Sequence, residues 1–342
     1  MKTYQIQEPQ SIKIRESDPP EINDDEVLVQ VSHVGICGSD VQLYQGTYKG
    51  PFNYPIAFGH EWSGKVAEVG KNVDAVRPGD KVTGDCSRFC GECVFCREDR
   101  NLCMNIEKFG ITIDGASAES IVRPAQYLYR APDDIDLSLL SLTEPLAVAA
   151  HLLGKIERYG RLSPAKKVFV LGAGAIGLGT LLLLKYFYDV KSVTMYDLSR
   201  GRLSLAGKLG AEIVTAEFLK PKEPKKGYRA LYDTDYDIII ETTGSAEAFN
   251  QALSLVKPLG VIGCLGMHPA LTIEQRLIVM KGLTIIGSIG GTGDFPRVID
   301  FIAKNSGVVS RLVSQRFPMA QADQAFQVSQ DRESSVKVVL EL

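Results

Sequence analysis

The sequence predicts an α/β protein of two domains, a β-rich domain with many loops and a doubly wound parallel sheet. Three observations favour this fold class. The chain has 342 residues, which is too long for one compact core. Its N-terminal part alternates short β-rich runs with Gly, Pro and Asp turns, whereas from Lys166 strands, glycine turns and helices follow one another. Strands that alternate with helices are typical of parallel βαβ units.

Composition and charge are those of an ordinary globular protein, with 45% apolar residues, 23% charged residues and a net charge of −3. Because no basic stripe is present, neither nucleic acid nor an anionic membrane is an expected partner. The N-terminus has no apolar segment of the kind found in signal peptides. The uncharged stretch 168–184 is divided by glycine and alanine into pieces too short to span a bilayer. We therefore expect a cytoplasmic protein.

The first domain is predicted from β-rich runs bounded by turn residues, and these runs suggest a folded antiparallel sheet. The runs are EVLVQVSHVG at 26–35, GKVAEVG at 64–70, DKVTGD at 80–85 and ESIVRP at 119–124.

The second domain is predicted from apolar strands that each lead into a glycine turn or a helix. The strands are KVFVL at 167–171, SVTMYD at 192–197, YDIIIETTG at 236–244, GVIGCLG at 260–266 and LTIIGSIG at 283–290, with helices at 199–211 and 245–257. The run KPKEPKKG at 220–227 is predicted to be a solvated loop. The tail after about residue 297 could belong to either domain by its pattern alone.

A glycine motif follows the first of these strands and opens a helix, as in dinucleotide-binding sites. Gly172 permits the tight turn, Gly174 allows the backbone to approach a pyrophosphate, and Gly177 lets the helix pack on the strand. Ala175 and Ile176 complete the turn, and the helix N-terminus offers free N–H groups to the phosphates.

Asp197 ends the next strand and indicates which dinucleotide is bound. A carboxylate at this place accepts hydrogen bonds from the adenosine ribose and repels a 2′-phosphate, so we expect NAD. Arg200 and Arg202 follow closely and keep NADP open as the minor alternative, although Arg202 could also flank the adenine. The competing interpretation is a doubly wound domain that binds another nucleotide or none.

Five of the seven cysteines fall between positions 86 and 103, which favours a metal site over disulfides in a chain without an export signal. Cys90, Cys93, Cys96 and Cys103 offer four thiolates at short spacing, as a structural zinc site requires. Reduced free cysteines in a loop are the alternative. Cys86 could compete for the metal, but we do not count it among the ligands.

The segment FGHEWSG at 58–64 places His60 and Glu61 beside the single tryptophan, and on its own this pair would be read as a polar turn. The wider pattern resembles the zinc-dependent medium-chain dehydrogenase/reductase family of alcohol and polyol dehydrogenases. The resemblance covers the chain end to end. It rests on the cysteine segment and on GICGSD at 35–40, GHEWSGKVAEVG at 59–70, TEPLAVA at 143–149 and GAGAIG at 172–177.

This resemblance implies a GroES-like catalytic domain at 1–152 with a structural-zinc lobe at about 86–104, a Rossmann domain at 153–297, and a return to the catalytic domain at 298–342. It also implies an active site between the domains and a homodimer or homotetramer. Rossmann sheets would pair edge to edge around 283–289.

Carried over by motif, the catalytic zinc would be held by Cys37, His60 and Glu144, the last standing where some relatives have cysteine. Glu61 would be a fourth ligand in some states and lie behind the ligands in others. Asp40 would orient His60 by accepting its other N–H. The implied reaction is hydride transfer between a secondary alcohol and the nicotinamide by way of a zinc-bound alkoxide.

Proton transfer is where the chain departs from the resemblance. Ser39 matches the hydroxyl that passes the alcohol proton outward, but Gln42 stands where many relatives have a histidine relay. We expect the proton to leave through water or Glu61 instead. The spacing from Cys96 to Cys103 is also one residue shorter than is usual in the family.

The expected substrate is a small polyhydroxylated secondary alcohol: a polyol, cyclitol, aminocyclitol or sugar alcohol. With Glu144 in place of a cysteine, the chain resembles the sorbitol-dehydrogenase-like branch of the family. The segment GITIDGASAE resembles that of 2-deoxy-scyllo-inosamine dehydrogenases, and the segment RLIVMKGLTIIGS resembles that of ribulose-5-phosphate reductases. The last similarity keeps a sugar phosphate as an alternative, although no Arg/Lys cluster marks a phosphate pocket. A zinc- and nucleotide-binding structural protein is the non-enzymatic alternative. Candidates for lining the cleft, which could equally be core residues, are Tyr44, Tyr48, Phe52, Trp62 and Phe109.

Overall fold

A computed structural model describes residues 1–219, 234–268 and 270–342, so the run at 220–227 lies outside the described residues. The chain forms two compact units, one made of Met1–Ala147 with Gly290–Leu342 and the other of Val148–Ile289. These divisions lie a few residues before the predicted ones at 152 and 297. At the first boundary the predicted and observed positions differ because one helix begins in the first unit and continues into the second.

The N-terminal part of the first unit consists of strands and short helices. Its strands are β1 Lys2–Glu8, β2 Ser11–Glu16, β3 Glu26–Gly35, β4 Ile56–Ala57, β5 Glu61–Val69, β6 Lys81–Gly84, β7 Ser87–Arg88, β8 Glu107–Lys108, β9 Ser120–Pro124 and β10 Leu128–Arg130. Its helices are α1 Gly38–Gln45, α2 Leu137–Leu140 and α3 Thr143–Arg158, and α3 continues into the second unit.

The second unit alternates strands and helices as the sequence predicts. Its strands are β11 Lys167–Leu171, β12 Ser192–Tyr196, β13 Glu212–Ile213, β14 Tyr236–Glu241, β15 Val256–Cys264 and β16 Thr284–Gly287. The described helices are α4 Ala175–Tyr186, α5 Arg200–Lys208, α6 Ala216–Leu219, α7 Ala246–Leu255 and α8 Gln275–Lys281.

The returning segment completes the first unit. It contains α9 Phe295–Lys304, α10 Ser306–Val309, β17 Val313–Pro318, α11 Ala322–Ser329 and β18 Lys337–Glu341. Strand β18 pairs antiparallel with β3, joining Val339 to Gly35. This pairing assigns the tail to the N-terminal unit, a point that the sequence pattern left open.

The main sheet of the first unit has the strand order β10-β6-β5-β3-β18-β17, with β9 also paired to β3. Its pairs are antiparallel except β17 with β18. Along β3 the buried side chains Val27, Val29 and Val31 alternate with more exposed ones, which is the two-residue period of a half-buried strand. They join a core that includes Trp62 and Phe326.

The sheet of the second unit has the order β13-β12-β11-β14-β15-β16, and its described pairs are all parallel. This is the 3-2-1-4-5-6 order of the Rossmann fold, whose ligand crevice lies where the order reverses, between β11 and β14. Residues Val168–Leu171 of β11 are almost fully buried, as expected for a strand covered on both faces. The predicted fold class is confirmed.

Lys281 ends α8 and closes the C-terminus of α7. Its buried ammonium donates hydrogen bonds of 2.8 Å to the carbonyls of Leu253, Ser254 and Val256. These are carbonyls that a helix end leaves without intrahelical donors, so a single cation satisfies the end of α7.

Throughout the described ranges, no helix combines the length and the apolar character that a bilayer crossing requires.

Candidate active site

Three predicted metal ligands come together in the first unit. One donor atom each of Cys37, His60 and Glu61 forms a group in which all atoms lie within 4.8 Å of one another. Cys37 precedes α1, while His60 and Glu61 stand at the start of β5. Gly59 adopts a positive φ of 87°, a left-handed conformation that favours glycine and that turns the chain just before His60.

Glu61 is buried and is held by a lysine from the last strand. Its Oε2 accepts from Lys337 Nζ at 2.5 Å, and the same ammonium donates to the carbonyl of Ile36 at 3.0 Å. Gly35 lies opposite Glu61 in the β3–β5 ladder, where an added Cβ would come within 2.5 Å of Oε2. A side chain at position 35 would therefore displace the carboxylate.

Asp40 lies near the ring of His60 but does not make the predicted hydrogen bond to it. This fully buried carboxylate accepts from the backbone N–H of Cys37 at 2.9 Å and of Gly59 at 3.2 Å, which ties both ligand segments to α1. His60 Nδ1 lies 3.6 Å from Asp40 Oδ1 and has no hydrogen-bond partner within the described part of the chain. Burial acts to lower the pKa of His60, but the charges of Asp40 and Cys37 outweigh it and raise that pKa well above its ordinary value.

Glu144 lies beside this group but is not a member of it. The carboxylate is buried, and its Oε1 accepts a hydrogen bond of 3.1 Å from the thiol of Cys86. Burial raises the pKa of Glu144, and His60 opposes that rise. Burial and the neighbouring Glu144 raise the pKa of Cys86 well above its usual value, so the thiol keeps its proton at neutral pH.

The other predicted catalytic residues lie on α1 or near it. Ser39 is half-buried in the first turn, two residues after Cys37, and Gln42 is exposed. Tyr48 is half-buried, and burial together with the negative charges of Cys37 and Asp40 raises its pKa, so its phenol remains a hydrogen-bond donor.

The aromatic candidates divide into two sets. Tyr44, Trp62 and Phe109 are core residues, exposed by 6%, 0% and 4%, and Tyr44 stacks on Phe326. Tyr48 and the exposed Phe52 form an edge-to-face pair instead, with ring centroids 6.1 Å apart. Only this pair retains surface that a substrate could touch.

The donors at this site fit zinc. Sulfur, imidazole nitrogen and carboxylate oxygen are the three ligand types that zinc accepts, and catalytic zinc sites use three such ligands and keep one position open. Nδ1 of His60 faces Asp40, which leaves Nε2 for a metal, and a carboxylate behind a ligating histidine is the usual support in zinc enzymes.

The cysteine lobe brings the other four predicted ligands together. Donor atoms of Cys90, Cys93, Cys96 and Cys103 lie within 4.8 Å of one another. The sulfur of Cys90 is 3.9 Å from that of Cys96 and 3.5 Å from that of Cys103. Four sulfurs at 2.3 Å from a tetrahedral zinc would be about 3.8 Å apart, so the cluster has the dimensions of a closed zinc site. Cys86 is not part of this cluster.

The thiols of the lobe differ widely in acidity. Backbone N–H groups of Met104 and Cys96 lower the pKa of Cys93 to about 6, whereas burial raises that of Cys96 to about 12.

The lobe is also tied to the returning chain. Asn101, which lies between Cys96 and Cys103 in the sequence, is buried, and its Oδ1 accepts a hydrogen bond of 3.0 Å from the backbone N–H of Thr292.

The glycine turn of the second unit has the shape that a dinucleotide requires. A Cβ on Gly177 would lie 1.9 Å from the carbonyl oxygen of Gly172, so only glycine fits there. A Cβ on Gly174 would meet nothing nearer than Arg202 Nη1 at 3.7 Å, so the backbone is open to a ligand. Helix α4 begins at Ala175, followed by Ile176, and points its free N–H groups at this opening.

Asp197 is fixed beside the turn. Its Oδ2 accepts from the backbone N–H of Ala173 at 2.6 Å and its Oδ1 from that of Ser199 at 2.8 Å. Ser199 in turn caps α5 by accepting from the N–H of Arg202. The acidic residue and the glycine turn thus form one hydrogen-bonded unit.

Sequence reasoning missed three residues that shape the first site: Gly35, Cys86 and Lys337. Gly35 stands in GICGSD, and its position opposite the ligand strand could have been read from that motif. For Cys86 the sequence pattern indicates only its closeness to the cysteine lobe. No signal marks Lys337, which is 276 positions from Glu61 and contacts it only through the pairing of β18 with β3.

Two family models match separate parts of the chain. Residues 23–133 match the family described as alcohol dehydrogenase GroES-like domain, and residues 175–304 match that described as zinc-binding dehydrogenase. The D-arabitol-phosphate dehydrogenase of Enterococcus avium is 30% identical over 327 residues, which are 94% of this chain and 91% of that protein.

Two solved structures share the fold over almost their whole length. An alcohol dehydrogenase from Escherichia coli CFT073 in complex with NADH is 28% identical with a TM-score of 0.87, covering 100% of this chain and 99% of that one. A zinc-binding dehydrogenase from Sinorhizobium meliloti 1021 bound to NADP is 29% identical with a TM-score of 0.88, at the same coverage. The chain therefore belongs to the zinc-dependent medium-chain dehydrogenase/reductase family and is an NAD(P)-dependent dehydrogenase that uses zinc.

Proposed function

We propose that the protein interconverts a secondary alcohol of an unphosphorylated polyol, cyclitol, aminocyclitol or sugar alcohol with its ketone, and that NAD is its coenzyme. The observation that carries the proposal is the group of Cys37, His60 and Glu61, with Glu144 beside it. We assign the catalytic zinc to Cys37, His60 and Glu144, with Glu61 as a fourth ligand in some states, and the structural zinc to the four cysteines of the lobe.

Zinc supplies a Lewis acid that makes a hydroxyl proton easier to lose or polarises a carbonyl, and the nicotinamide supplies or accepts hydride. The residues hold these groups and move the proton. Asp40 fixes the Cys37 segment and faces the ring of His60. Ser39, half-buried in the first turn of α1, receives the proton of the substrate hydroxyl. Water or Glu61 then carries it outward, since Gln42 cannot titrate.

We assign substrate binding to the aromatic pair of Tyr48 and Phe52, which is not buried in the core. Tyr48, whose phenol stays protonated, donates a hydrogen bond to a substrate hydroxyl, and the ring of Phe52 covers the apolar face of the carbon skeleton. A polyhydroxylated ring or chain offers both kinds of surface.

The preference for NAD rests on Asp197. Its carboxylate is fixed next to the glycine turn, where the adenosine ribose lies in Rossmann sites, and it would repel a 2′-phosphate. The test is Asp197→Asn, which keeps the shape and removes the charge. We expect the ratio of kcat/KM with NAD to that with NADP to fall at least about tenfold. An unchanged ratio would refute the assignment.

A second substrate class is favoured by the similarity to a D-arabitol-phosphate dehydrogenase. A sugar phosphate would need cationic groups for its phosphate, as in a ribulose-5-phosphate type of reductase. The decisive assay follows NADH absorbance over matched pairs of substrates, with polyols, inositols and aminocyclitols on one side and pentulose or pentitol phosphates on the other. Turnover restricted to phosphorylated compounds would overturn the main proposal.

Metal analysis tests the ligand assignment separately. About two zinc ions per chain are expected, one in each cluster. The variant His60→Gln should lose one zinc ion and the activity. His33→Gln is the matched control, because His33 is hydrogen-bonded to the hydroxyl of Ser32 and lies near Glu341 rather than in the ligand group. Retention of both ions by His60→Gln would contradict the assignment.

We also propose a homodimer or homotetramer in which the sheets of two second units join at β16. This strand ends the sheet, pairs on one side with β15, and leaves Ile285 40% exposed. An uncovered apolar edge strand readily pairs with another chain. Ile285→Lys should produce monomers in sedimentation, and an unchanged oligomer would exclude this edge as the contact.

A further inference from the structure

The thiol of Cys86 makes a contact that neither zinc cluster explains. Cys86 is exposed by 5% and Glu144 by 6%, and the sulfur lies 3.1 Å from Glu144 Oε1. A carboxylate without its proton can only accept hydrogen bonds, so the thiol is the donor.

A chain of polar groups continues behind the thiol. Ser87 Oγ lies 3.7 Å from the sulfur, and Lys108 Nζ lies 2.6 Å from Ser87 Oγ across the β7–β8 pair. Because an ammonium only donates, Ser87 accepts from Lys108 and can donate its own proton to sulfur. The proton of Cys86 is thereby directed to Glu144, and every donor in the chain points towards the carboxylate.

Glu61, the other buried carboxylate at this site, is held by a donor in the same manner as Glu144. Lys337 holds Glu61 through Oε2 and leaves the other oxygen for the metal. Cys86 holds Glu144 through Oε1 in the same way. The two buried carboxylates repel each other, so each needs a donor to keep its position when the metal is absent.

We propose that Cys86 is a positioning residue for the catalytic zinc, whose thiol orients Glu144 so that its second oxygen serves as ligand. The inference rests on the proposed ligand role of Glu144. It predicts that losing the donor weakens zinc binding at this site, because partners behind metal ligands typically change metal affinity 10- to 100-fold.

The experiment measures zinc affinity at both sites by chelator competition in Cys86→Ser, Cys86→Ala and Cys86→Val. Serine keeps a donor and should stay within about threefold of the parent, whereas alanine and valine lack the donor and should each lose about 10- to 100-fold. Affinity at the cysteine lobe should not change and is the internal control for folding. Cys264→Val, the same substitution in the other unit, should leave both affinities unchanged.

Three outcomes would overturn the inference. Parent-like affinity in alanine and valine would mean that the hydrogen bond is without effect. Equal loss in serine, alanine and valine would mean that shape rather than the donor matters. In cobalt-substituted protein, thiolate-to-metal absorption reports sulfur ligands, and a loss of that absorption at the catalytic site in Cys86→Ser would show that Cys86 is itself a ligand.

Glu144→Gln separates this inference from the proposed function. If it weakens zinc binding while Cys86→Val does not, only the inference fails. If Glu144→Gln leaves zinc affinity unchanged, Glu144 is not a ligand and the proposed ligand set fails first.

Discussion

Replacing Lys337 by methionine tests the electrostatics of the active site most directly. The variant keeps the length of the side chain and removes the cation that pairs with Glu61. Lys337 and Glu61 are exposed by 3% and 1%, so the carboxylate would remain buried without its partner. Breaking a buried pair from one side costs about 3–5 kcal/mol. We expect the metal-free protein to lose that much free energy of unfolding.

Zinc should reduce the loss, since a bound cation beside Glu61 replaces part of the missing charge. The pH must be held below the pKa of Lys337. Burial lowers the pKa of Lys337, but Glu61 and Cys37 outweigh it and raise the pKa above its ordinary value of 10.5. The stability that the pair contributes is therefore complete below pH 10.5 and is lost as the pH rises through the raised value.

The measurement is urea unfolding followed by tryptophan fluorescence, with and without zinc. Trp62 is the single tryptophan, is fully buried and lies in the same unit as Lys337, so it reports on the correct part of the chain. Lys65→Met, on the exposed face of β5, is the control. If metal-free Lys337→Met unfolds at the same urea concentration as Lys65→Met, the reasoning is refuted.

Three further predictions concern other parts of the molecule. Gly177→Ala should abolish NADH binding in a fluorescence titration, because its Cβ would lie 1.9 Å from a backbone oxygen, whereas Gly207→Ala, with 3.8 Å of room, should bind normally. In metal-free protein, alkylation of Cys93 read by mass spectrometry should have its midpoint near its pKa of about 6 and should stop when zinc is added; a midpoint near 9 would contradict this. Lys281→Met should destabilise α7 by about 3 kcal/mol in hydrogen exchange, because charged hydrogen bonds to three carbonyls are lost. Lys185→Met, whose ammonium makes one exposed bond, should change little.

The sequence predicts the second unit well because local rules determine it. Apolar runs, a glycine turn and an acidic residue lie within about thirty residues of one another, as the fingerprint requires. The cysteine lobe is equally local, and the donor atoms of its four cysteines lie close together as expected.

The first site was only partly predictable because its supporting residues are remote in sequence. Lys337 reaches Glu61 through a strand pairing that no local period reveals, and the Cys86–Glu144 contact spans 58 positions. Glu144 itself is outside the tight group of donors, a detail that depends on side-chain position rather than on residue type. The aromatic residues show the same limit, since Tyr44 and Trp62 are core and Tyr48 is not.

The contact between Glu61 and Lys337 has a consequence for biosynthesis. The N-terminal part of a chain leaves the ribosome first, so the four cysteines of the lobe, at 90–103, are available to a metal ion while most of the described chain is still unmade. Glu61 gains its counter-ion only after Lys337, which lies 276 positions later in the chain, has been made. Chains that stall before Lys337 should therefore carry the four cysteines of the lobe but a first site that still lacks the counter-ion of one carboxylate.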